Sequence, residues 1–175
     1  RAEPRRRGHA GGPLSPDGVA LLGSAKEIVG RMKETTLCIQ GPPGCGKTIT
    51  GGELIASLLK VGKRVGVASN SHRAICLLLR EAGGAADRMG VRFSGAKAGG
   101  DDDQESIHQS IALLAEHGDV FDLAVMPDLV GGTAWVFSQA GEVRQSDYLF
   151  VGEACDVAVA LLVHLRPAPD TLVVL

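Results

Sequence analysis

The chain of 175 residues has few aromatic residues, no long apolar run and no large excess of either charge. Aromatic residues make up 3% of the sequence, which leaves few platforms on which exposed bases could stack. The formal net charge is −2, so nucleic-acid binding would require a local basic face rather than an overall attraction. No apolar stretch reaches the roughly 20 residues of a transmembrane helix, and we therefore expect no membrane contact.

The cysteines and histidines lack the spacing of a metal site or of a disulfide framework. No pair of the four cysteines has CxxC spacing, and the chain is not small and cysteine-rich. The five histidines are scattered, and the Arg-rich start lacks the apolar core of a signal peptide. We therefore expect reduced thiols and a cytoplasmic protein. The cysteines are Cys38, Cys45, Cys76 and Cys155.

The composition divides the chain into a short tail and one domain. Residues 1–13 are basic and rich in glycine and proline, which predicts a disordered tail, with a nucleic-acid arm as the alternative. Residues 14–175 are long enough for one hydrophobic core and too few to require two.

Short apolar runs alternate with helical patterns along this domain. This alternation predicts βαβ units and an α/β fold with a mainly parallel, helix-covered sheet. Residues 95–106, with their acidic run, predict an exposed loop. Strands are expected at 35–40, 64–69, 91–95, 148–151 and 171–175, with weaker candidates at 122–126 and 132–137. Helices are expected at 18–32, 46–60, 71–82 and 105–117.

One glycine-rich segment carries a specific signal. Gly41-Pro-Pro-Gly-Cys-Gly-Lys-Thr48 fits the P-loop pattern G-x-x-x-x-G-K-[ST]. Such a loop points successive N–H groups at phosphate oxygens, and the following helix presents the positive end of its dipole to the same anion. Lys47 would lie beside the β- and γ-phosphates, and the Thr48 hydroxyl would be a magnesium ligand. A chance match is disfavoured, because an apolar strand precedes the motif and a helical pattern follows it.

Four blocks in order resemble superfamily 1 helicases. They are "LCIQGPPGCGKT", "VASNSHRAI", "GGTAWVFS" and "DYLFVGEA", and the likeness is to the branch of the nonsense-mediated-decay RNA helicases and the RecB-like nuclease–helicase fusions. The resemblance implies that residues 35–175 are most of a first RecA-like domain, a three-layer sandwich that binds ATP and Mg²⁺. The nucleotide contacts that it implies are Gln40, Gly41, Pro42, Pro43, Gly44, Cys45, Gly46, Lys47, Thr48 and Ile49.

The second and third blocks imply contacts with single-stranded DNA or RNA. Hydroxyl and amide groups at strand ends suit phosphate and sugar contacts, which position a strand without reading bases. For Ser69, Asn70 and Ser71 the alternative role is capping of the next helix. We expect Trp135 to pack in the core rather than to form a base platform. The implied strand contacts are Ser69, Asn70, Ser71, His72 and Thr133.

The fourth block departs from the family at the acid that serves magnesium. "YLFVGEA" resembles a Walker B strand, which normally ends in Asp-Glu-Ala, but Gly152 stands at the Asp position. Glu153 stands at the position of the catalytic Glu, so the resemblance implies Lys47 and Glu153 as catalytic residues. Because glycine offers no carboxylate, we expect nucleotide to bind with weakened Mg²⁺ and hydrolysis slower by about a hundredfold or more. Neither Asp147 nor Asp156 is an obvious substitute.

The resemblance also implies a partner, a second RecA-like lobe, which would follow "TLVVL" after a Gly-Asp-x-x-Gln motif. We therefore expect residues 14–175 to be an ATP-binding lobe, incomplete at its C-terminus, of a DNA or RNA helicase. The first alternative is a degenerate P-loop module that holds ATP or ADP without turnover. The second, a small-molecule kinase, is disfavoured by the second and third blocks and by the lack of an Arg-rich lid segment.

Overall fold

A computed structural model gives the fold for residues 21–42, 44–99, 107–115, 125–138, 146–152 and 171–175. Within these ranges the strands are β1 (Thr35–Cys38), β2 (Val65–Ala68), β3 (Gly95–Ala98), β4 (Ile111–Leu114), β5 (Leu129–Gly132), β6 (Tyr148–Val151) and β7 (Thr171–Val174). The helices are α1 (Leu21–Arg31), α2 (Lys47–Lys60), α3 (His72–Arg88) and α4 (Ala134–Ser138).

The seven strands of the described ranges form one sheet in the order β1-β7-β6-β2-β5-β3-β4. Every neighbouring pair is parallel. The central strands are buried along their whole length, which is why "VGVA" and "YLFV" read as continuous apolar runs rather than alternating ones. The predicted α/β fold with a parallel sheet is therefore confirmed.

Helices α1, α2 and α3 pack together against one face of the sheet. In α2 the buried leucine and isoleucine side chains lie at positions 54, 55, 58 and 59, the spacing that gives a helix one apolar side. They join side chains from the sheet, such as Val67 and Phe150, in the larger core cluster. The Tyr148 hydroxyl donates to the Val29 carbonyl at 3.0 Å, which ties β6 to the end of α1.

Helix α4 packs on the opposite face of the sheet. Its Val136 and Phe137 side chains are buried against Ala68, Val130 and Leu149. Since Ala68 and Val67 are consecutive residues of β2, the two core clusters occupy the two sides of one strand. Helices thus cover both faces, the arrangement expected of a doubly wound α/β fold.

Three secondary-structure predictions were wrong, each in a short segment, and the strand expected at 91–95 was misplaced, because only its last residue, Gly95, lies in a strand. Residues 95–106 were expected to be a loop, but Gly95–Ala98 is buried strand β3, in which Lys97 is 3% exposed and donates to the Gly99 carbonyl. Residues 105–117 were expected to be helical, but Ile111–Leu114 is strand β4. The apolar residues of "SIALL" fit either period, and pairing with β3 decides between them.

The third error concerns the strand candidates at 122–126 and 132–137. The strand is Leu129–Gly132, between them, and residues 134–138 are helical. Helix α3 also continues six residues beyond the predicted end, and within that extension a Cβ at Gly83 would lie 2.6 Å from the His108 ring. The tail at 1–13, the acidic run at 101–103 and residues 122–124 lie outside the described ranges. Across the described residues, none of the helices combines the length and the apolar character needed to cross a membrane.

Candidate nucleotide site and the carboxyl edge of the sheet

The parallel register brings four functional segments to one edge of the sheet. Cys38 aligns with Val174, which aligns with Val151, and Val151 aligns with Ala68. Ala68 in turn aligns with Gly132 of β5. The P-loop after β1, Gly152 after β6, the segment from 69 after β2 and Thr133 after β5 therefore all leave the same carboxyl edge. In parallel α/β sheets this edge is where ligands bind.

The P-loop has the backbone of a phosphate cradle. Gly44 and Gly46 have φ angles of 77° and 84°, a left-handed region that other residues rarely adopt. Gly46 is also the N-cap of α2 and has no side chain that could cap the helix. The backbone N–H groups of the first turn of α2 can therefore donate to a bound anion. A Cβ at Gly41 would also collide with Cys45 Sγ unless the exposed Cys45 side chain moved. Pro43 lies outside the described residues.

Lys47 closes over the loop that precedes it. Its Nζ donates to the Gly41 carbonyl at 2.8 Å and to the Pro42 carbonyl at 3.3 Å. These two carbonyl oxygens hold the ammonium at the mouth of the cradle. A phosphate oxygen is a stronger acceptor than a carbonyl, because the hydrogen bond joins two opposite charges.

The remaining P-loop residues lie at or beside the start of α2. Thr48 is half-buried and is the second residue of that helix. Gln40 and Ile49 flank the loop on either side, and Ile49 is 56% exposed. The Ile39 amide donates to the Val174 carbonyl at 2.8 Å, which anchors the start of the loop to β7.

At Gly152 the structure has room for a side chain but no ligand for a cation. The Gly152 amide donates to the Ala68 carbonyl at 2.9 Å, so its backbone continues the pairing of β6 with β2. Among described atoms outside its chain neighbours, the nearest to a Cβ built there is Ser69 Cβ at 4.0 Å. The described donor groups therefore fit a polyphosphate well and Mg²⁺ poorly, because the Thr48 hydroxyl is the one candidate oxygen ligand among the described P-loop and Walker B side chains. Glu153 lies outside the described residues.

Asp147 cannot replace the missing carboxylate, because it lies at the opposite edge of the sheet. It precedes β6, whereas Gly152 follows it. Its carboxylate accepts from Lys63 Nζ at 3.0 Å and from the Arg64 amide at 2.9 Å. Burial acts to raise the pKa of Asp147, but the Arg64 amide and the Lys63 ammonium outweigh it and hold that pKa below its usual value. Asp156 lies outside the described residues.

The residues expected to contact a nucleic-acid strand meet at the carboxyl edge with different exposures. Ser69 is 1% exposed, and its hydroxyl accepts from the Ser71 amide at 3.3 Å. Ser71 caps α3, because its Oγ accepts from the Ala74 amide at 3.3 Å, which is the alternative role that its residue type allowed. Asn70 is exposed, and His72 and Thr133 are half-buried. Thr133 and Asn70 are thus the better placed of this set, and strand contact by all five stays a prediction.

Trp135 is where the sequence-based expectation of core packing was wrong. Its side chain is 58% exposed, while Val136 and Phe137 are buried. The sequence indicates that Trp135 is exposed only when residues 134–138 are predicted to be helical. Successive residues in a helix are about 100° apart, so a position before two buried ones lies about 150° from the middle of the buried side.

Comparisons with known proteins bear on this arrangement. A sequence profile described as AAA domain matches residues 25–172 of the chain. None of the curated proteins matches the chain in sequence. Among solved structures, the chain is similar to a nuclease-deletion mutant of the Type ISP restriction-modification enzyme LlaGI, determined in complex with a DNA substrate mimic. The TM-score is 0.57 at 18% sequence identity, and the match covers 91% of this chain and 17% of that one. At this identity the likeness concerns the fold, and this chain spans about a sixth of the enzyme's length.

Proposed function

Because the chain belongs to the AAA domain family and has the RecA-like fold of superfamily 1 helicases, we propose that it is the ATP-binding lobe of a nucleic-acid translocase, with hydrolysis impaired at Gly152. The observation that carries the proposal is the P-loop at the carboxyl edge, with two left-handed glycines and the Lys47 ammonium held over them. Backbone N–H groups at a helix N-terminus together with a nearby ammonium are the donors that phosphate groups prefer.

Different groups of the loop contact different parts of the nucleotide. The amides between Gly44 and Thr48, together with the positive end of α2, attract the phosphates. Lys47 leaves the Gly41 and Pro42 carbonyls and bonds the terminal phosphates. Thr48 would hold Mg²⁺, which when bound supplies positive charge against the phosphate oxygens. Since Gly152 adds no carboxylate, the cation is held by fewer ligands than in a complete site. The chain therefore keeps its affinity for ATP while its rate of hydrolysis is lowered.

Nucleic acid would run along the same edge of the sheet. The LlaGI structure, which shares the fold, contains a DNA substrate mimic, and this supports a single strand of DNA or RNA as the partner here. The exposed amide of Asn70 and the Thr133 hydroxyl follow the adjacent strands β2 and β5, so one backbone could contact both. A second RecA-like lobe would supply the other side of this cleft and complete the ATP site.

The direct test is nucleotide binding by the chain and by two lysine variants. We expect calorimetry to detect binding of both ATP and ADP, and Lys47→Ala to weaken it by at least about tenfold, since a lost charge-assisted hydrogen bond costs about 1.5–3 kcal/mol. Lys60→Ala is the matched control, because Lys60 is the exposed last residue of the same helix, at its other end. Folded protein that binds neither nucleotide, or that binds equally well in both variants, contradicts the proposal.

One observation favours a second function, that of a P-loop module that holds nucleotide without turnover. The open space at Gly152 leaves the described site without its acidic magnesium ligand. The two functions differ in phosphate release. Release that increases when single-stranded DNA or RNA is added, in the presence of Mg²⁺, supports the translocase lobe, whereas binding without release supports the module.

A further inference from the structure

We infer that Trp135 is a platform on which a base of the bound single strand stacks, an inference that rests on the proposed function. Six aromatic residues occur in the whole sequence, and Trp135 is the one tryptophan among them. Of the aromatic residues that the structure describes, Tyr148, Phe137 and Phe150 are buried and Phe93 is half-buried. Trp135 alone among them exposes most of its side chain, 58%.

A single exposed apolar side chain is common on protein surfaces and indicates no function by itself. What distinguishes Trp135 is that helix α4 is clamped onto the sheet in a way that prevents the ring from turning inward. A Cβ at Gly132 would lie 3.0 Å from Val136 Cγ2, and one at Gly66 would lie 2.8 Å from Phe137 Cε1. The two glycines let α4 approach the strands closely, and its two buried residues then direct Trp135 away from the sheet.

The position of Trp135 is the second reason. It follows Thr133 by two residues, and the Val136 amide donates to the Thr133 carbonyl at 3.0 Å, so α4 starts directly at the carboxyl edge. Thr133 and Asn70 provide polar groups for a sugar-phosphate backbone at that edge. An exposed aromatic ring two residues after Thr133 supplies what those groups lack, an apolar face for a base. Stacking of this kind accepts any base, as expected of a protein that moves along a strand.

The chain's single tryptophan makes the test specific, because its intrinsic fluorescence reports on this residue alone. We would titrate the chain with a single strand of thymidines and with an abasic strand of the same length and backbone. We expect the thymidine strand to quench the fluorescence and to bind about tenfold more tightly than the abasic strand, which should not quench it. The same pair of strands made with ribose distinguishes RNA from DNA as the source of the base.

Three variants test whether this preference belongs to the ring. Trp135→Ala should bind a labelled thymidine strand about tenfold more weakly and the abasic strand unchanged, so the preference disappears. Trp135→Phe should recover most of it. Val61→Ala, which removes a side chain 67% exposed at the far end of α2, should leave both affinities unchanged.

The outcomes separate this inference from the function on which it rests. Equal binding of both strands by the unaltered chain, or an equal loss for both strands in Trp135→Ala, overturns the platform and leaves strand binding standing. A chain that binds nucleotide but no strand of either kind overturns both. Nucleotide binding itself is decided independently by the Lys47 and Lys60 variants.

Discussion

At the scale of single residues, the proposed impairment of hydrolysis depends on one position, Gly152. Gly152 leaves the carboxyl edge beside Ser69, and the described surroundings would accept a side chain without displacement of any atom. The backbone that would hold an acid is thus intact, since its amide still pairs with Ala68. A single substitution is therefore expected to place a carboxylate at this position without disturbing the strand.

Gly152→Asp should tighten the binding of ATP in the presence of Mg²⁺ by about tenfold, because a carboxylate near the cation adds a favourable charge interaction of a few kcal/mol at most. Calorimetry with and without Mg²⁺ measures the effect. Gly152→Asn is the matched control, with the same shape and no charge. Equal gains in both variants, or a gain without Mg²⁺, would contradict the assignment of this position to the cation.

At the scale of secondary-structure elements, one half-buried acid joins three helices. Glu53 of α2 accepts from Lys26 of α1 and from Arg88 of α3, each at 2.8 Å. The Glu53 side chain is 15% exposed, whereas that of Arg88 is 59% exposed. Hydrogen bonds from Arg88 and then from Lys26 lower the pKa of Glu53 below its ordinary value, against a smaller effect of burial.

Glu53→Gln should therefore destabilise the fold by roughly 1 kcal/mol at neutral pH, discounted for the exposure of Arg88. Because the folded-state pKa is lowered, this stabilisation is fully present above the ordinary Glu pKa of about 4.3 and is lost as the pH falls through the lowered value. Urea unfolding at several pH values measures it. The matched control, Glu27→Gln, removes an exposed i,i+4 pair with Arg31 and should change stability by about 0.5 kcal/mol or less. A difference between wild type and Glu53→Gln that persists undiminished in strong acid would rule out this ion-pair explanation.

The helices and strands also differ in whether they could be predicted from the sequence. Helices α1 and α2 and strands β2, β6 and β7 were predictable, because long apolar periodicity or a continuous apolar run identifies them. Strand β3 was not, because Lys97 gave it the composition of a loop while burying its stem and bonding the Gly99 carbonyl. Helix α4 has five residues, too few for a period to be read, and β4 has four.

At the scale of the whole molecule, strand order rather than composition sets where stability lies. Strand β2 has partners on both sides and is buried along its length, whereas β4 pairs with β3 and exposes Ala112 and Leu113. Local opening is easiest where few buried contacts must be broken. Of the strands that lead into the candidate site, β6 and β2 are internal and fully buried, whereas β1, which precedes the P-loop, pairs with β7 alone and is partly exposed.

Hydrogen exchange followed by mass spectrometry should detect this gradient. We expect the backbone amides of β2 and β6 to exchange at least about tenfold more slowly than those of β4. The internal control is β3, which has neighbours on both sides and lies beside β4. Protection of β4 equal to that of β2 would mean that some other part of the chain covers this edge.

The sequence by itself determined the phosphate cradle, because its residue types follow one another along the chain and act within a single turn. It also determined that the sheet is parallel and that the acid at position 152 is missing. The tertiary structure decided which separated residues meet. Register placed Asp147 and Gly152 at opposite edges, buried the Ser69 hydroxyl and brought Thr133 beside the segment that follows β2. It also turned Trp135 outward, because contact of Val136 and Phe137 with two glycines of the sheet, rather than local preference, selects the buried side of α4.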